Sequence, residues 1–404
     1  MASFADLPNE ILDQITPIVL PADLENFAQV CRRTYITAQL HLEAHRTMIR
    51  KFAIVGNKVV GKGGPFGELL LDDRRHPLLG HYVVNLTFRR GSSRLNDRRR
   101  EQQDFERLIP LLPNLKTLAM EDVDISGSET QFWNASLTPS PILTNLVNVY
   151  VRFLKKPVLT FGITRALSAL PSLRLLSTQN CGFDEPNHDP FAPVRSHLTR
   201  LELWDCRFQS KQLHDFLKGF YQLQTFKYSI PLRAEPEQGY NPFLIRSGLL
   251  YSKSTLQHLT MLAPGQPASF VGSLVEFESL QEVYISWSLL DPHWGRSDPS
   301  ELCLVLPKPL RLLRIQSEGD QFASDSTRLE KCTVDGGGCA WMYSHLVESV
   351  IACKSHQTPN LSELVLLVGE HRRCLGLLFW LLCHDNLQLW KRYCMDVGVA
   401  LTIR

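Results

Sequence analysis

The chain has 404 residues, of which 44% are hydrophobic and 21% charged, and its formal net charge is +2. Those values belong to a globular protein with room for two or three domains. They exclude a global field that would draw in nucleic acid or an anionic membrane, so neither is expected as a partner.

The first predicted helix opens at Leu7-Pro8-Asn9-Glu10. Pro8 suits the first helical position, where its missing N–H costs nothing. Glu10 then lies in the first turn, where the helix dipole favours an anion. Leu7, Ile11, Leu12 and Ile15 share one face by i, i+4 spacing, and Pro17 ends the helix early. Pro21 and Asp23 repeat the start signal. Leu24, Phe27, Val30, Cys31 and Tyr35 then recur at helical spacing. A module of about forty residues cannot bury all of these side chains internally, so some should stay exposed and seek a partner.

Residues 51–79 read as a connector. Lys51 to Val55 predicts a strand, and Gly56 to Gly67 holds five glycines and a proline, which predicts loop. Within it, Gly56-Asn57-Lys58-Val59-Val60-Gly61-Lys62-Gly63 nearly spells a phosphate-binding loop. The hydroxyl that would ligate magnesium is replaced by Gly63, and Pro65 stands where the phosphate-binding helix must begin. Arg89, Arg90, Arg94, Arg98, Arg99, Arg100 and Arg107 make the next stretch basic. That pattern fits a solvated face, or a docking patch for an acidic or phosphorylated partner.

From residue 80 a Leu-x-x-Leu pattern followed by x-apolar recurs, with copies beginning at Val83, Leu115, Leu146, Leu173, Leu198, Leu223, Leu256, Leu280, Leu310 and Leu361. The intervals run from 24 to 33 residues until the last, which is 51 and leaves room for an unrecognised copy. Leu-x-Leu alternates as a strand with one buried face does. Helical spacing is expected over residues 96–112, 162–170, 210–221, 243–253 and 270–277. Strand, loop and helix in series build an α/β fold, a parallel sheet inside with helices outside. No single copy can bury its own apolar face, so stacking must supply the core. A doubly wound α/β domain is the alternative, with fewer and less regular strands. Cys181 and Cys206, just after two strands, are expected to point inward as small fillers. A helix over residues 374–393 and a strand over residues 398–403 should cap the open end.

The chemistry of a catalyst is missing from this pattern. No Cys-x-x-Cys pair and no Gly-x-Ser-x-Gly elbow occurs. His371 beside Glu370 and His384 beside Asp385 have no nucleophile at a recognisable spacing. No catalytic residue, metal site or cofactor is expected, and the protein is not expected to be an enzyme. The N-terminus lacks the basic start and apolar core of a signal peptide. The longest apolar run, Cys374 to Cys383, has about half the length of a membrane span. Ten cysteines spread without a dense framework suggest reduced thiols, hence cytosol or nucleus.

The first fifty residues resemble the F-box, through Leu7-Pro8 with Glu10, the apolar Ile11, Leu12 and Ile15, Asp23-Leu24, and Val30-Cys31-Arg32 before an aromatic residue. Residues 80–404 resemble the degenerate leucine-rich repeats that often follow an F-box in fungal proteins. The resemblance implies a small all-α F-box module over residues 1–50, a glycine-rich connector over 51–79 and an irregular repeat solenoid over 80–404. It implies the substrate-recognition subunit of an SCF-type cullin-RING ubiquitin ligase. Leu7, Pro8, Ile11, Leu12, Ile15 and Leu24 would dock on a Skp-type adaptor, and through it on the cullin scaffold. Phe27, Val30 and Cys31 would be shared between core and interface. An unidentified protein substrate would lie on the concave strand face, where alternation alone exposes Lys116, Asn148, Arg174, Arg200, Glu202, Gln224, Gln257, Glu282 and Arg311. Two other readings stay open. One is a repeat scaffold outside any ligase, its hairpin merely a cap. The other is a nucleotide-dependent enzyme using Lys62.

Overall fold

Alternating apolar residues and backbone pairing set the architecture, seen in a computed structural model that describes residues 7–16, 19, 24–39, 41–43, 58–60, 83–89, 109–121, 143–152, 167–180, 195–230, 240–263, 270–290, 302, 304–316, 346–354, 357–367 and 386–403. The contacts form two units, Met1–Val158 with Leu170–Leu173, and Leu159–Ala169 with Arg174–Arg404.

The first unit begins with helix α1 (Asn9–Ile15) and helix α2 (Leu24–Gln29). Pro8 stands one place before α1, with an extended ψ of 149°, and its carbonyl accepts from the Ile11 and Leu12 N–H groups. Helix α1 stops at Ile15, as expected ahead of Pro17, and the Thr16 hydroxyl donates back to the Leu12 carbonyl at 2.7 Å. The expected helix from Leu24 through Tyr35 is broken at Val30, and a second helical stretch covers residues 32–39. The cause is local. The Thr34 hydroxyl accepts from the Cys31 N–H at 3.0 Å, and the Cys31 sulfur accepts from the Thr34 N–H at 3.5 Å. That reciprocal pair is a capping box with a cysteine at its head, and it starts a new helix. Leu24, Ala28, Ala38 and Leu42 form the small core of this region.

Four parallel strands complete the unit: β1 (Lys58–Val60), β2 (Asn85–Arg89), β3 (Thr117–Glu121) and β4 (Asn148–Arg152), paired in that order. Strand β1 lies inside the stretch read as loop, three residues after the expected strand; residues 51–55 themselves lie outside those described. Leu86 and Phe88, Leu118 and Met120, and Val149 and Val151 fill the buried side.

In the second unit, strands β5 (Leu175–Gln179), β6 (Arg200–Trp204), β7 (Thr225–Ser229), β8 (His258–Leu262), β9 (Glu282–Ser286), β10 (Leu312–Gln316), β11 (Glu363–Leu367) and β12 (Ala400–Ile403) are parallel and follow chain order. A doubly wound sheet would reverse its order; within this unit none does. Every copy of the repeat pattern from Val83 to Leu361 therefore gives a strand. β10 pairs directly with β11, so the 51-residue interval inserts no strand between them. Leu201 and Leu203, Phe226 and Tyr228, and Val283 and Ile285 show the alternation, each buried. Cys206 is buried as expected, its thiol 3.1 Å from the Trp204 carbonyl. Cys181 lies outside the described residues.

The outer elements are shorter than their apolar spacing suggests. Helix α3 (Ser210–Leu217) and helix α4 (Pro242–Leu249), the latter continued by a 3₁₀ turn at Leu250–Ser252, occupy two of the expected ranges. Helix α5 (Trp287–Leu290) follows β9 directly, and helix α6 (Asn386–Asp396) precedes β12. Of the expected 96–112 helix, only 109–112 is described, and there Ile109–Leu111 forms a 3₁₀ turn. Residues 270–277 are not helical, which corrects the sequence reading. Their N–H groups go elsewhere: Val271 donates to the Leu289 carbonyl and Leu274 to the Val305 carbonyl. Gly272 takes φ +89°, and the buried Arg246 donates to the Ser273 carbonyl at 2.7 Å while pairing with Glu276. Val271, Leu274 and Phe277 are all buried along this extended path, so i, i+3 spacing here served burial without a helix.

Helices α3 and α4 meet at Gly248. A Cβ there would lie 2.8 Å from the His214 carbonyl oxygen and 3.0 Å from the Leu217 Cβ. Glycine inside a helix ordinarily costs about 1 kcal/mol against alanine. Overpacking against backbone costs about 1–3 kcal/mol and should win here. Gly248→Ala is expected to lower stability by about 1–2 kcal/mol in urea denaturation, against the gain that helix propensity alone would give.

Candidate functional site

Two surfaces are candidates, one in each unit. The N-terminal hairpin of the first unit leaves apolar side chains uncovered. Ile11 is 40% exposed, Val30 54%, Tyr35 49% and Ile36 59%. The capping box at Cys31 puts Val30 in the bend between two helices and turns Tyr35 and Ile36 outward. Arg33 fixes the arrangement by donating through two guanidinium nitrogens to the Asn9 side-chain oxygen, at 3.2 and 2.7 Å. Of the residues expected to face an adaptor, Pro8, Ile11 and Val30 are exposed, while Leu7, Ile15, Phe27 and Cys31 are half-buried. Leu12 and Leu24 are buried, at 0% and 3%, and the structure gives them to the core. Leu12 faces inward because the hairpin buries only a narrow stripe of α1. Hydrogen bonds with Thr34 lower the pKa of the Cys31 thiol, whereas burial pushes Cys394 up to about 11.

In the second unit, the sheet face opposite the core carries a cleft of about 450 Å³ across β6 to β10. Among its lining residues Arg200, Trp204 and Lys227 gather on Glu202, which is 7% exposed in the middle of β6. Five bonds converge on that carboxylate. Arg200 reaches Oε1 through Nε at 2.7 Å and Nη2 at 2.6 Å, and Lys227 Nζ lies 3.0 Å from the same oxygen. The Ser177 hydroxyl donates to Oε2 at 3.1 Å and the Trp204 indole N–H at 3.3 Å. Burial raises the Glu202 pKa, but bonds from Lys227, Arg200 and Trp204 with the Lys227 charge outweigh it and hold the carboxyl below its ordinary 4.5. Lys227 also lies 5.5 Å from the Trp204 ring centroid, a cation–π distance. Further along the cleft His258 Nδ1 is 3.2 Å from Glu282 Oε2, and the Tyr284 hydroxyl donates to Gln316 Oε1 at 2.7 Å. Burial pushes the Tyr284 phenol up, offset in part by the Arg314 charge.

The sequence-expected residues divide by register. Arg200 and Glu282 line this cleft, with Glu202 beside them as its buried anion. Asn148 opens β4 in the first unit, where its amide donates to the Thr117 hydroxyl at 3.3 Å. Lys116, Arg174, Gln224, Gln257 and Arg311 stand one residue ahead of their strands, at the sheet's leading edge. Their carbonyls each accept two N–H groups from the following strand, so strand alternation has not yet begun there. Counting from the buried pair instead, such as Leu201 and Leu203, gives the correct parity. It brings in Trp204, Lys227, Tyr284 and Arg314, which the sequence reading missed. Among the described residues no three His, Cys, Asp or Glu side chains gather where they could hold a metal ion, and no helix is long and apolar enough to cross a membrane. Strand β1 runs through the stretch that resembles a phosphate-binding loop, while Lys62 lies outside the described residues.

No protein-family model matches the chain, and no curated protein matches it.

The Glu202 cluster generates a pH prediction. A carboxyl whose folded pKa lies below its unfolded one stabilises fully above the unfolded value, and that contribution is lost as pH falls through the folded value. Glu202→Gln should therefore be less stable than wild type at pH 7, by about 1–3 kcal/mol for a removed charged hydrogen-bond partner. The gap should narrow once pH drops below the ordinary 4.5. Paired urea titrations at pH 7 and in the acid range measure both.

Proposed function

We propose that the protein is the substrate-recognition subunit of an SCF-type cullin-RING ubiquitin ligase. The observation that carries this reading is the exposure of Ile11, Val30, Tyr35 and Ile36 in the segment that resembles an F-box. Apolar side chains left together in water are an interaction surface. On this reading the hairpin binds a Skp-type adaptor, which links it to the cullin scaffold in cytosol or nucleus. The strand face of the repeats holds a protein substrate. The chain makes and breaks no bonds. It raises the rate by tethering the substrate near the ubiquitin-charged enzyme, which converts a chance encounter into an intramolecular one.

The test is co-expression of the full chain with a Skp-type adaptor, followed by size-exclusion chromatography. A one-to-one complex is expected. Ile11→Asp with Val30→Asp should abolish it while leaving the circular dichroism spectrum unchanged, because both side chains are exposed. Well-folded protein that never co-elutes with the adaptor would overturn the ligase reading and leave a repeat scaffold.

A further inference from the structure

Of the four basic side chains that line the cleft on the second unit, three face a carboxylate and one does not. Arg200 and Lys227 are both taken up by Glu202, and His258 faces Glu282. Arg314, exposed in the middle of β10, has no carboxylate and no hydrogen-bond partner among the described residues. Register places it in one row with Glu202, Lys227, Thr260 and Tyr284, one residue per strand. At about 4.8 Å per strand, Arg314 stands about 14 Å from Lys227. The Glu202 carboxylate, four strands away at about 4.8 Å per strand, is too far to neutralise the guanidinium, and the strand on which it sits is held on both sides.

We infer that this cleft is a peptide site in which Arg314 takes the carboxylate or phosphoryl oxygens of an acidic residue, while Trp204 and Tyr284 flank an apolar neighbour of that residue. This rests on the reading above in taking the strand face as the recognition surface. The guanidinium fork matches both oxyanions in a bidentate manner, which an ammonium cannot do. The length fits a peptide. Four strand spacings from β6 to β10 make about 19 Å, the reach of five or six extended residues at about 3.3 Å each. Trp204, Tyr284 and Leu312 supply apolar contact that an inorganic anion would leave unused. A nucleic acid requires a row of cations along its backbone, whereas here three of the four basic side chains face a carboxylate. Glu202 acts as a positioning residue. It holds Arg200 and Lys227 and leaves Arg314 as the basic side chain of the cleft that faces no carboxylate among the described residues.

The experiment uses the full-length chain on an array of end-blocked heptapeptides with randomised flanks and a central aspartate, glutamate, phosphoserine or asparagine. Wild type should retain acidic-centred peptides with apolar flanks over their asparagine counterparts. Arg314→Glu should weaken those peptides roughly tenfold or more. Arg392→Glu, the same charge change on exposed α6, should not. Retention of phosphoserine alone assigns a phosphoryl ligand, and equal retention of aspartate and glutamate assigns a carboxylate. No acidic preference in wild type, or the same preference in Arg314→Glu, overturns the inference. Adaptor co-elution of the same proteins reports the ligase reading separately. Acidic selection without adaptor capture keeps the peptide site and removes the ligase, and adaptor capture without acidic selection does the reverse.

Discussion

Everything else in the structure rests on the backbone carbonyl just ahead of each strand. In the first unit the Lys116 carbonyl accepts from the Val147 and Asn148 N–H groups. In the second, the carbonyls of Arg174, Thr199, Gln224, Gln257, Gln281 and Arg311 each accept two N–H groups from the next strand in the same manner. This double acceptance satisfies two donors at the point where an irregular loop becomes a strand, where an unpaired buried N–H would be costly. It also fixes register. A slip of one residue would turn every Leu-x-Leu pair outward. Once the register is set, the apolar pair of each strand has one available place, against the pairs before and after it.

Because the constraint acts only at the strands, the chain between them can vary. Serine and threonine hydroxyls tie the outer side of neighbouring repeats where regular helices are short or missing. Ser196 donates to the Ser168 carbonyl at 2.7 Å, Ser273 to Leu304 at 2.7 Å, Ser279 to Ser254 at 2.6 Å, and Ser252 to Phe220. Each bond joins residues about one repeat apart in sequence and satisfies a loop carbonyl that no helix would satisfy. The uneven intervals follow from this. An insertion lengthens a loop, at a closure cost that grows only slowly with length, while the strand after it returns to the same carbonyl.

The strands were legible in the sequence because a buried pair at i, i+2 has few competing explanations. Ten copies of the pattern, from Val83 to Leu361, coincide with ten strands. The outer segments were less legible. Val271, Leu274 and Phe277 have helical spacing but lie on an extended path, because Gly272 adopts a positive φ and Arg246 binds the Ser273 carbonyl. No local pattern announces an arginine donated from 27 residues away. The break at Val30 was hidden for another reason: a cysteine is an unusual helix cap, and only Thr34 three residues on hints at it. The candidate cleft was half legible. Arg200, Glu202 and Glu282 were found by alternation, whereas Arg314 was missed because alternation was begun one residue early, at Arg311, and Tyr284 because it was not carried past Glu282.

That one-residue offset shows how the fold separates stability from recognition. Core parity is fixed by stacking, so the opposite parity is free of packing demands except where a side chain is buried among its neighbours. Glu202 is such a case. Taking a carboxylate out of water is costly, and replacing a buried ionic cluster with apolar residues is often neutral or stabilising. Stability alone therefore gives little reason for Glu202, Arg200, Lys227 and Trp204 to be arranged around one another. What the cluster accomplishes is spatial. It gathers two long cations and an indole on one carboxylate, and leaves Arg314 facing none among the described residues. A surface built only to be soluble would scatter those charges. Here the register of a parallel sheet places Glu202, Lys227, Tyr284 and Arg314 in one row, with a buried anion at its head.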